Sequence, residues 1–251
     1  MPSRSLSNRR PLLSVGLSLS LALASVLPAD AATQLRIGYQ KSSTLISLLK
    51  SNGDLEKALA KQDVSISWHE FPNGQPLLEA LNVGNIDVSA DVADTVPVFA
   101  QAAGAQLTYF AQEAPSPSAQ AIIVRDDSPL RSVAQLKGKK VAVTKAAGSH
   151  YLLLAALAKA GLKFSDIEPA YLTPADGRAA FENRKVDAWV TWEPFLSGAQ
   201  QQLPTRTLAD GKQLADYQRY YLTSTAFAKN NPQVLAVVFD ELVKTGDWLR
   251  A

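Results

Sequence analysis

Two turns of the sequence combine small and polar residues at points where a short apolar run gives way to a helical pattern. The first turn covers residues 40–44 and the second covers residues 144–150. The first turn of a helix leaves backbone N–H groups unpaired, and the helix dipole places positive charge there. Both turns are therefore suited to bind an anion that accepts hydrogen bonds and donates none.

Six residues of these turns are candidate ligand-binding residues. Gln40 lies just beyond the carboxyl end of a predicted strand, which is where open α/β sheets bind their ligands. The other five are at the starts of the predicted helices: Ser42, Ser43, Gly148, Ser149 and His150. Serine at a helix start is most often an ordinary N-cap, so capping remains an alternative for each serine. His150 is equally compatible with a surface position.

The chain also contains an internal duplication. Residues 80–88 have a counterpart one hundred positions later, at 180–188, and each copy holds a helix end, a polar turn and an apolar-Asp-apolar strand start. We expect the repeated acids, Asp87 and Asp187, to be structural caps. Two similar half-domains predict two lobes with a ligand cleft between them.

Candidate residues also follow the two repeated strands, in corresponding loops. Thr95 can donate to an anion, and Trp192 can form the wall of an alkyl or aryl pocket or belong to the core of its lobe. Asp94 and Glu193 would repel an anion that they faced, so we expect them to order neighbouring donors, bridge the lobes or contact a cationic group on the ligand. Tyr221, on a predicted return strand, is a candidate for the hinge side.

Strand-like runs and helical stretches alternate along the chain, which predicts an α/β fold with a mainly parallel sheet and flanking helices in each lobe. In the first lobe, for example, a strand at 35–39 is followed by one helix at 45–59. The predicted limits are 32–112 for lobe 1, 113–215 for lobe 2 and 216–251 for a return to lobe 1. The Pro/Ser-rich segment 114–118 is interpreted as a hinge crossing.

The first 31 residues have the pattern of a secretory signal peptide. Three arginines precede an apolar run at 12–27, and an Ala-Asp-Ala sequence at 29–31 suits a cleavage site. The run is shorter than the roughly 20 apolar residues of a membrane-spanning helix. We therefore expect cleavage after Ala31 and export to the periplasm.

Composition argues against several classes of function. Cleavage would remove three of the 25 basic and one of the 23 acidic residues, which leaves a formally neutral protein and gives no reason to expect a nucleic-acid partner. The absence of cysteine excludes disulfides, thiolate metal sites and cysteine nucleophiles. His69 and His150 are the two histidines, so neither a zinc site nor another cofactor is expected.

Six segments are similar to motifs of a known family: 35–41, 78–84, 98–104, 148–150, 161–167 and 171–176. They resemble the aliphatic sulfonate-binding proteins of ABC importers, and the similarity runs from residue 35 to about residue 232. The chain departs from that pattern twice. Residues 93–97 stand where the family carries Gly-Asp followed by Pro-Pro, and the family continues with further helices after the segment that ends here at Ala251.

The resemblance implies a type II-like periplasmic-binding-protein fold and a monomer that captures a small sulfonate and delivers it to the membrane subunits of an ABC permease for sulfur uptake. Taurine, a sulfate ester or nitrate remain alternative ligands. An enzyme on the same fold and a ligand-sensing partner of a membrane receptor are alternative functions. Enzymes of this fold depend on a reactive Cys or on clustered His and Lys. With no Cys and one candidate site histidine, we expect binding without catalysis.

Overall fold

The computed structural model describes residues 33–251, and the predicted signal peptide lies outside the described residues. Two five-stranded sheets form the framework of the described chain. Strands and helices are numbered along the chain. None of the helices formed by residues 33–251 is both long enough and apolar enough to span a membrane.

The sheet of the first lobe has four strands that point one way and one that points the other way. Its strands are β1 (Thr33–Tyr39), β2 (Val64–Glu70), β3 (Val88–Ala93), β4 (Leu107–Gln112) and β10 (Arg219–Ser224). Their order is β2-β1-β3-β10-β4, with β10 antiparallel to both of its neighbours. The flanking helices are α1 (Thr44–Asn52), α2 (Asp54–Leu59), α3 (Gly74–Asn82), α4 (Thr95–Ala102), α8 (Thr225–Asn230) and α9 (Pro232–Arg250).

The sheet of the second lobe has the same arrangement. Its strands are β5 (Gln120–Arg125), β6 (Lys140–Val143), β7 (Glu168–Tyr171), β8 (Ala188–Trp192) and β9 (Thr205–Asp210). Their order is β7-β6-β8-β5-β9, and β5 is the antiparallel strand. Its helices are α5 (Gly148–Lys159), α6 (Pro174–Glu182) and α7 (Phe195–Gln202). The predicted α/β class, with a mainly parallel sheet in each lobe, is confirmed.

The strands that carry the duplication lie inside the two sheets and are buried on both faces. The pattern of β3 is buried at five of six positions, and β8 is buried throughout, as expected for strands covered by helices on both sides. In the first lobe, α9 adds Val234, Leu235, Val238 and Leu242 to the core beneath the sheet. Each copy of the duplicated segment therefore leads into a buried central strand, and residues toward the carboxyl end of that strand line the cleft.

The repeated acids form the same hydrogen bonds in both lobes. The carboxylate of Asp87 accepts a bond of 2.8 Å from the backbone N–H of Arg36, and that of Asp187 accepts one of 2.8 Å from Lys140. In return, each aspartate donates its own N–H to the carbonyl of the same partner, at 2.8 Å in both lobes. The predicted structural role of both acids is confirmed.

The prediction of one helix over residues 45–59 is wrong. The chain forms α1 and α2 with Gly53 between them, because Gly53 adopts a left-handed conformation with φ of 70° and ends α1. Glycine reaches this conformation without steric cost, and it is a frequent residue just after a helix.

Candidate functional site

A small cavity lies between the two lobes, at the carboxyl ends of their central strands. It is lined by Gln40, Ser42, Gly74, Asp91, Ala93, Val96, Ala147, Gly148, Trp192, Tyr217 and Arg219. Its volume is about 10 Å³, which is close to the space that one water molecule needs. The lobes are thus nearly closed on each other, and a larger ligand needs them to separate.

The contact between the lobes is tight at Gly148. A β-carbon added there would lie 2.8 Å from the β-carbon of Ala93 and 2.8 Å from the ring of Tyr217. Next to it, Ala147, Trp192 and Tyr217 form a buried apolar cluster that includes atoms from both sides of the cleft. The absence of a side chain at residue 148 therefore permits this degree of closure.

Two helices begin beside the cavity without a side-chain cap. The residues that precede them, Ser43 for α1 and Ala147 for α5, make no capping hydrogen bond, and neither helix has an acidic residue in its first turn. Four other helices are capped by a side chain: Asn73 for α3, Asp94 for α4, Thr173 for α6 and Ser224 for α8. Two of these, α3 and α4, also begin beside the cavity. The N–H of Thr44 donates to the carbonyl of Ser42 and that of His150 donates to the carbonyl of Ala147, and the other first-turn N–H groups of α1 and α5 remain available to an anion.

Four of the predicted site residues line the cavity: Gln40, Ser42, Gly148 and Trp192. The side-chain amide of Gln40 donates to the carbonyl of Asp91 at 3.0 Å, so it also joins β1 to β3. Trp192 is 4% exposed and packs edge-to-face against Phe195. It belongs to a core cluster and also lines the cavity, and its contact with a ligand tail stays a prediction.

Ser43 and Ser149 lie behind the lining and are fully buried. The hydroxyl of Ser43 accepts a hydrogen bond of 3.2 Å from the backbone N–H of Gln40 and thereby shapes the turn. The hydroxyl of Ser149 has no hydrogen-bond partner within residues 33–251. Neither serine caps its helix in the way that the sequence suggested as an alternative.

The acids of the two later loops order their own helices. Asp94 accepts from the backbone N–H of Thr95 at 2.8 Å, and burial raises the pKa of its carboxyl group. Glu193 accepts from the backbone N–H of Ser197 at 3.1 Å and from its hydroxyl at 2.7 Å. Asp94, Thr95 and Glu193 are all absent from the cavity lining. The geometry favours the first of the predicted roles for the acids, the ordering of neighbouring donors.

The structure places His150 and Tyr221 away from the cavity lining. The ring of His150 packs against Phe164 and Tyr171 of its own lobe, with centroid distances of 5.3 and 5.8 Å, and burial lowers its pKa. Its Nδ1 accepts a hydrogen bond of 3.3 Å from the backbone N–H of Ala146, while Gly148 of the same turn lines the cavity. The hydroxyl of Tyr221 donates to Glu113 at 2.6 Å, and its ring packs into the first lobe.

A charged cluster beside the cavity was missed by sequence reasoning. It consists of Asp91, Glu113 and Arg219: the guanidinium of Arg219 pairs with Asp91 at 2.9 Å and also with Glu113. Burial raises the pKa of Asp91 to about 6, although Arg219 opposes the shift. One signal was visible in the sequence, because Asp91 is a charged residue within the apolar strand β3, where charges are rare unless paired or functional.

Within residues 33–251, no group of three or more His, Cys, Asp or Glu side chains is placed to hold a metal ion. The cavity instead offers backbone N–H groups, one amide, one guanidinium and one carboxylate around a wall that includes an indole ring. Such a set can bind and orient a small polar ligand with an apolar tail.

Comparison with known proteins gives one family match over most of the described chain. The model of the family "NMT1/THI5 like" matches residues 60–246. A putative aliphatic sulfonates-binding protein of Escherichia coli K12 is 49% identical over 213 residues, which is 85% of this chain and 66% of that protein. The chain thus spans slightly less than two thirds of the length of this curated relative.

Two solved structures are similar in fold and in sequence. The periplasmic aliphatic sulphonate binding protein SsuA of Escherichia coli has a TM-score of 0.75 and 47% identity, over 86% of this chain and 70% of that one. The alkanesulfonate-binding protein SsuA of Xanthomonas axonopodis pv. citri, bound to MOPS, has a TM-score of 0.81 and 43% identity, over 86% of this chain and 74% of that one. The predicted periplasmic-binding-protein fold is confirmed.

Proposed function

The chain belongs to the NMT1/THI5-like family, among its aliphatic sulfonate-binding relatives, and from that premise we propose that it is the solute-binding component of an ABC importer. In this proposal it captures aliphatic sulfonates in the periplasm and delivers them to the membrane subunits of the permease. The observation that carries the proposal is the similarity to an alkanesulfonate-binding protein bound to MOPS, which is itself a sulfonate. It acts by binding, without a chemical step.

The geometry of the cleft supports this ligand class. A sulfonate has three acceptor oxygens and no proton to donate at neutral pH, so it needs converging donors. The uncapped starts of α1 and α5 offer such donors. Because Gly148 has no side chain, the protein backbone can approach the sulfonate head group closely at this point, and Trp192 offers an apolar face to the tail of the ligand.

The two segments that cross between the lobes supply a hinge for ligand capture. They are bonded to each other: the N–H of Ser116 donates to the carbonyl of Asp216 at 3.1 Å, and that of Gly211 donates to Pro117 at 3.0 Å. The lobes rotate about these segments, and a ligand that contacts both lobes stabilises the closed form. The permease then recognises the closed protein.

Titration calorimetry on the protein starting at residue 32 tests the proposal. The panel contains alkanesulfonates of increasing length, taurine, sulfate and nitrate, so that it separates a sulfonate binder from a binder of another small anion. We expect saturable heat with at least one sulfonate. At a free concentration of one hundred times its dissociation constant, that sulfonate should raise the free energy of unfolding by about 2.7 kcal/mol, which thermal unfolding measures. If the folded protein binds none of the sulfonates, the proposal is wrong.

A further inference from the structure

The charged cluster beside the cavity carries an excess of negative charge. Among the residues that line the cavity, Arg219 carries the positive charge and Asp91 the negative one. Arg219 also pairs with Glu113, which lies behind the wall. One guanidinium is therefore shared between two carboxylates, and the cluster has a net charge of −1 when all three groups are ionised.

Asp91 is the member of the cluster that can bind a further cation. Its side chain is 0% exposed and lies beside the cavity. One carboxylate oxygen accepts from Arg219, whereas the other, Oδ1, is buried and has no donor at normal hydrogen-bonding distance within residues 33–251. The nearby hydroxyl of Ser43 makes a weaker contact with the carboxyl group, which opposes the effect of burial on the pKa of Asp91. A buried carboxylate oxygen without a donor is costly, and a ligand N–H group that supplied the donor would relieve this cost.

The second lobe does not compensate this charge. Its contributions to the lining are Ala147, Gly148 and Trp192, none of which is charged. Thr191 stands one hundred positions after Asp91 and is neutral. When the lobes close, a ligand that carries only a negative charge brings a second anion next to Asp91 and Glu113 in a site from which water is excluded, where like charges repel strongly.

We propose that Asp91 is a specificity-determining residue that selects sulfonates with a cationic nitrogen over plain alkanesulfonates. This inference rests on the proposed function and names the ligand class more narrowly. The sulfonate head binds the N–H groups at the starts of α1 and α5, while the ammonium group donates to Oδ1 of Asp91. A ligand of this class is zwitterionic, so the closed site gains no net charge.

A matched pair of ligands tests this selection. In 3-aminopropanesulfonate and butanesulfonate, an ammonium group and a methyl group occupy the same end of a chain of equal length. We expect the wild-type protein to bind the amino compound at least about tenfold more tightly at pH 7, as a buried hydrogen bond between charged groups implies. Calorimetry at constant ionic strength measures both dissociation constants.

The isosteric variant Asp91→Asn removes the charge and should abolish or reverse the preference. Asp63→Asn is the control, because Asp63 is exposed in the same lobe and its positive φ of 55° suits asparagine; it should retain the wild-type ratio. Equal or tighter binding of butanesulfonate by the wild type overturns the inference, as does an unchanged ratio in Asp91→Asn. These results leave the proposed function intact. Binding of neither compound by the folded wild type overturns this inference, and it overturns the proposed function as well if no other sulfonate of the panel binds.

Discussion

The two lobes repeat one scaffold but differ in charge at corresponding positions of their central strands. Asp91 in β3 and Thr191 in β8 each lie four positions after the repeated acid. Asp91 is paired with Arg219, whereas the hydroxyl of Thr191 has no hydrogen-bond partner within residues 33–251. The backbone of the duplication is therefore shared, while the ionised groups beside the cavity belong to the first lobe.

The next position of each strand shows the complementary difference. Val92 in the first lobe packs into the core, whereas Trp192 in the second lobe extends the core to the cavity wall. The second lobe thus supplies an apolar cover and the backbone of Gly148. The shared scaffold holds both strands in equivalent places, while two adjacent divergent positions put the charged group in the first lobe and the apolar cover in the second.

The largest effect is expected when the cation of the first lobe is removed. Arg219→Met leaves Asp91 and Glu113 close together without their shared partner, so the free energy of unfolding at pH 7 should fall by about 3 to 5 kcal/mol. Urea unfolding followed by circular dichroism measures the change. Arg250→Ala is the control, because its pair with Asp247 is exposed; it should cost about 0 to 1 kcal/mol. A similar small cost for Arg219→Met would show that the charged cluster is not an important difference between the lobes.

The second prediction concerns the pH dependence of the same cluster. Burial raises the pKa of Asp91 to about 6, above the value of about 3.9 in an unfolded chain. The folded state therefore binds the proton more tightly, so the stabilising contribution of protonated Asp91 is fully present below about pH 4 and is lost as the pH rises through 6.

Asparagine does not titrate, so Asp91→Asn should gain stability relative to the wild type by roughly 3 kcal/mol between pH 4 and pH 7. Urea unfolding at intervals across this range gives the difference curve. Asp63→Asn serves again as the exposed control and should give a curve parallel to that of the wild type. Parallel curves for Asp91→Asn would mean that the carboxyl group of Asp91 titrates as it does in the unfolded chain.

Many features shared by the two lobes could be predicted from the sequence, because they depend on residues that are neighbours in the chain. The alternation of strands and helices, the repeated acids and the polar turns at 40–44 and 144–150 each depend on patterns within about ten residues. The turn at Gly53 was also local, but a helical pattern on both sides concealed it.

The charged cluster could not be predicted in the same way, because its members are far apart in the chain. Arg219 is 128 positions from Asp91 and 106 positions from Glu113, and only the placement of β10 between β3 and β4 brings them together. The orientation of His150 had a similar cause. Its ring packs against Phe164 and Tyr171, which belong to later segments of the same lobe.

A third prediction tests the role of the second lobe in enclosure. Gly148→Ala places a methyl group against Ala93 and Tyr217 only when the lobes are closed, and overpacking of this kind costs about 1 to 3 kcal/mol. The dissociation constant for a bound sulfonate should therefore rise by roughly 5- to 150-fold, with little change in the stability of the ligand-free protein. Calorimetry gives the affinity, and small-angle scattering should show a more open ligand-free molecule.

Gly198→Ala is the matched control for this change. It lies in a helix of the same lobe, and its new β-carbon would meet only the flexible end of Arg178, at 3.5 Å. Its affinity should equal that of the wild type. Equal affinity in Gly148→Ala as well would show that the ligand-bound form is less closed at this point than the structure described here.

The smallest effect is expected at Thr191, the counterpart of Asp91. Because its buried hydroxyl has no partner within residues 33–251, Thr191→Val removes a group that gains nothing in the folded state, and the stability should rise by no more than about 1 kcal/mol. Urea unfolding measures this change, and it should not depend on pH between 4 and 7. A loss of stability of more than about 2 kcal/mol would imply that the hydroxyl of Thr191 has a hydrogen-bond partner in the folded protein. The second lobe would then hold a polar site equivalent to Asp91, and the division of charge between the lobes would no longer stand.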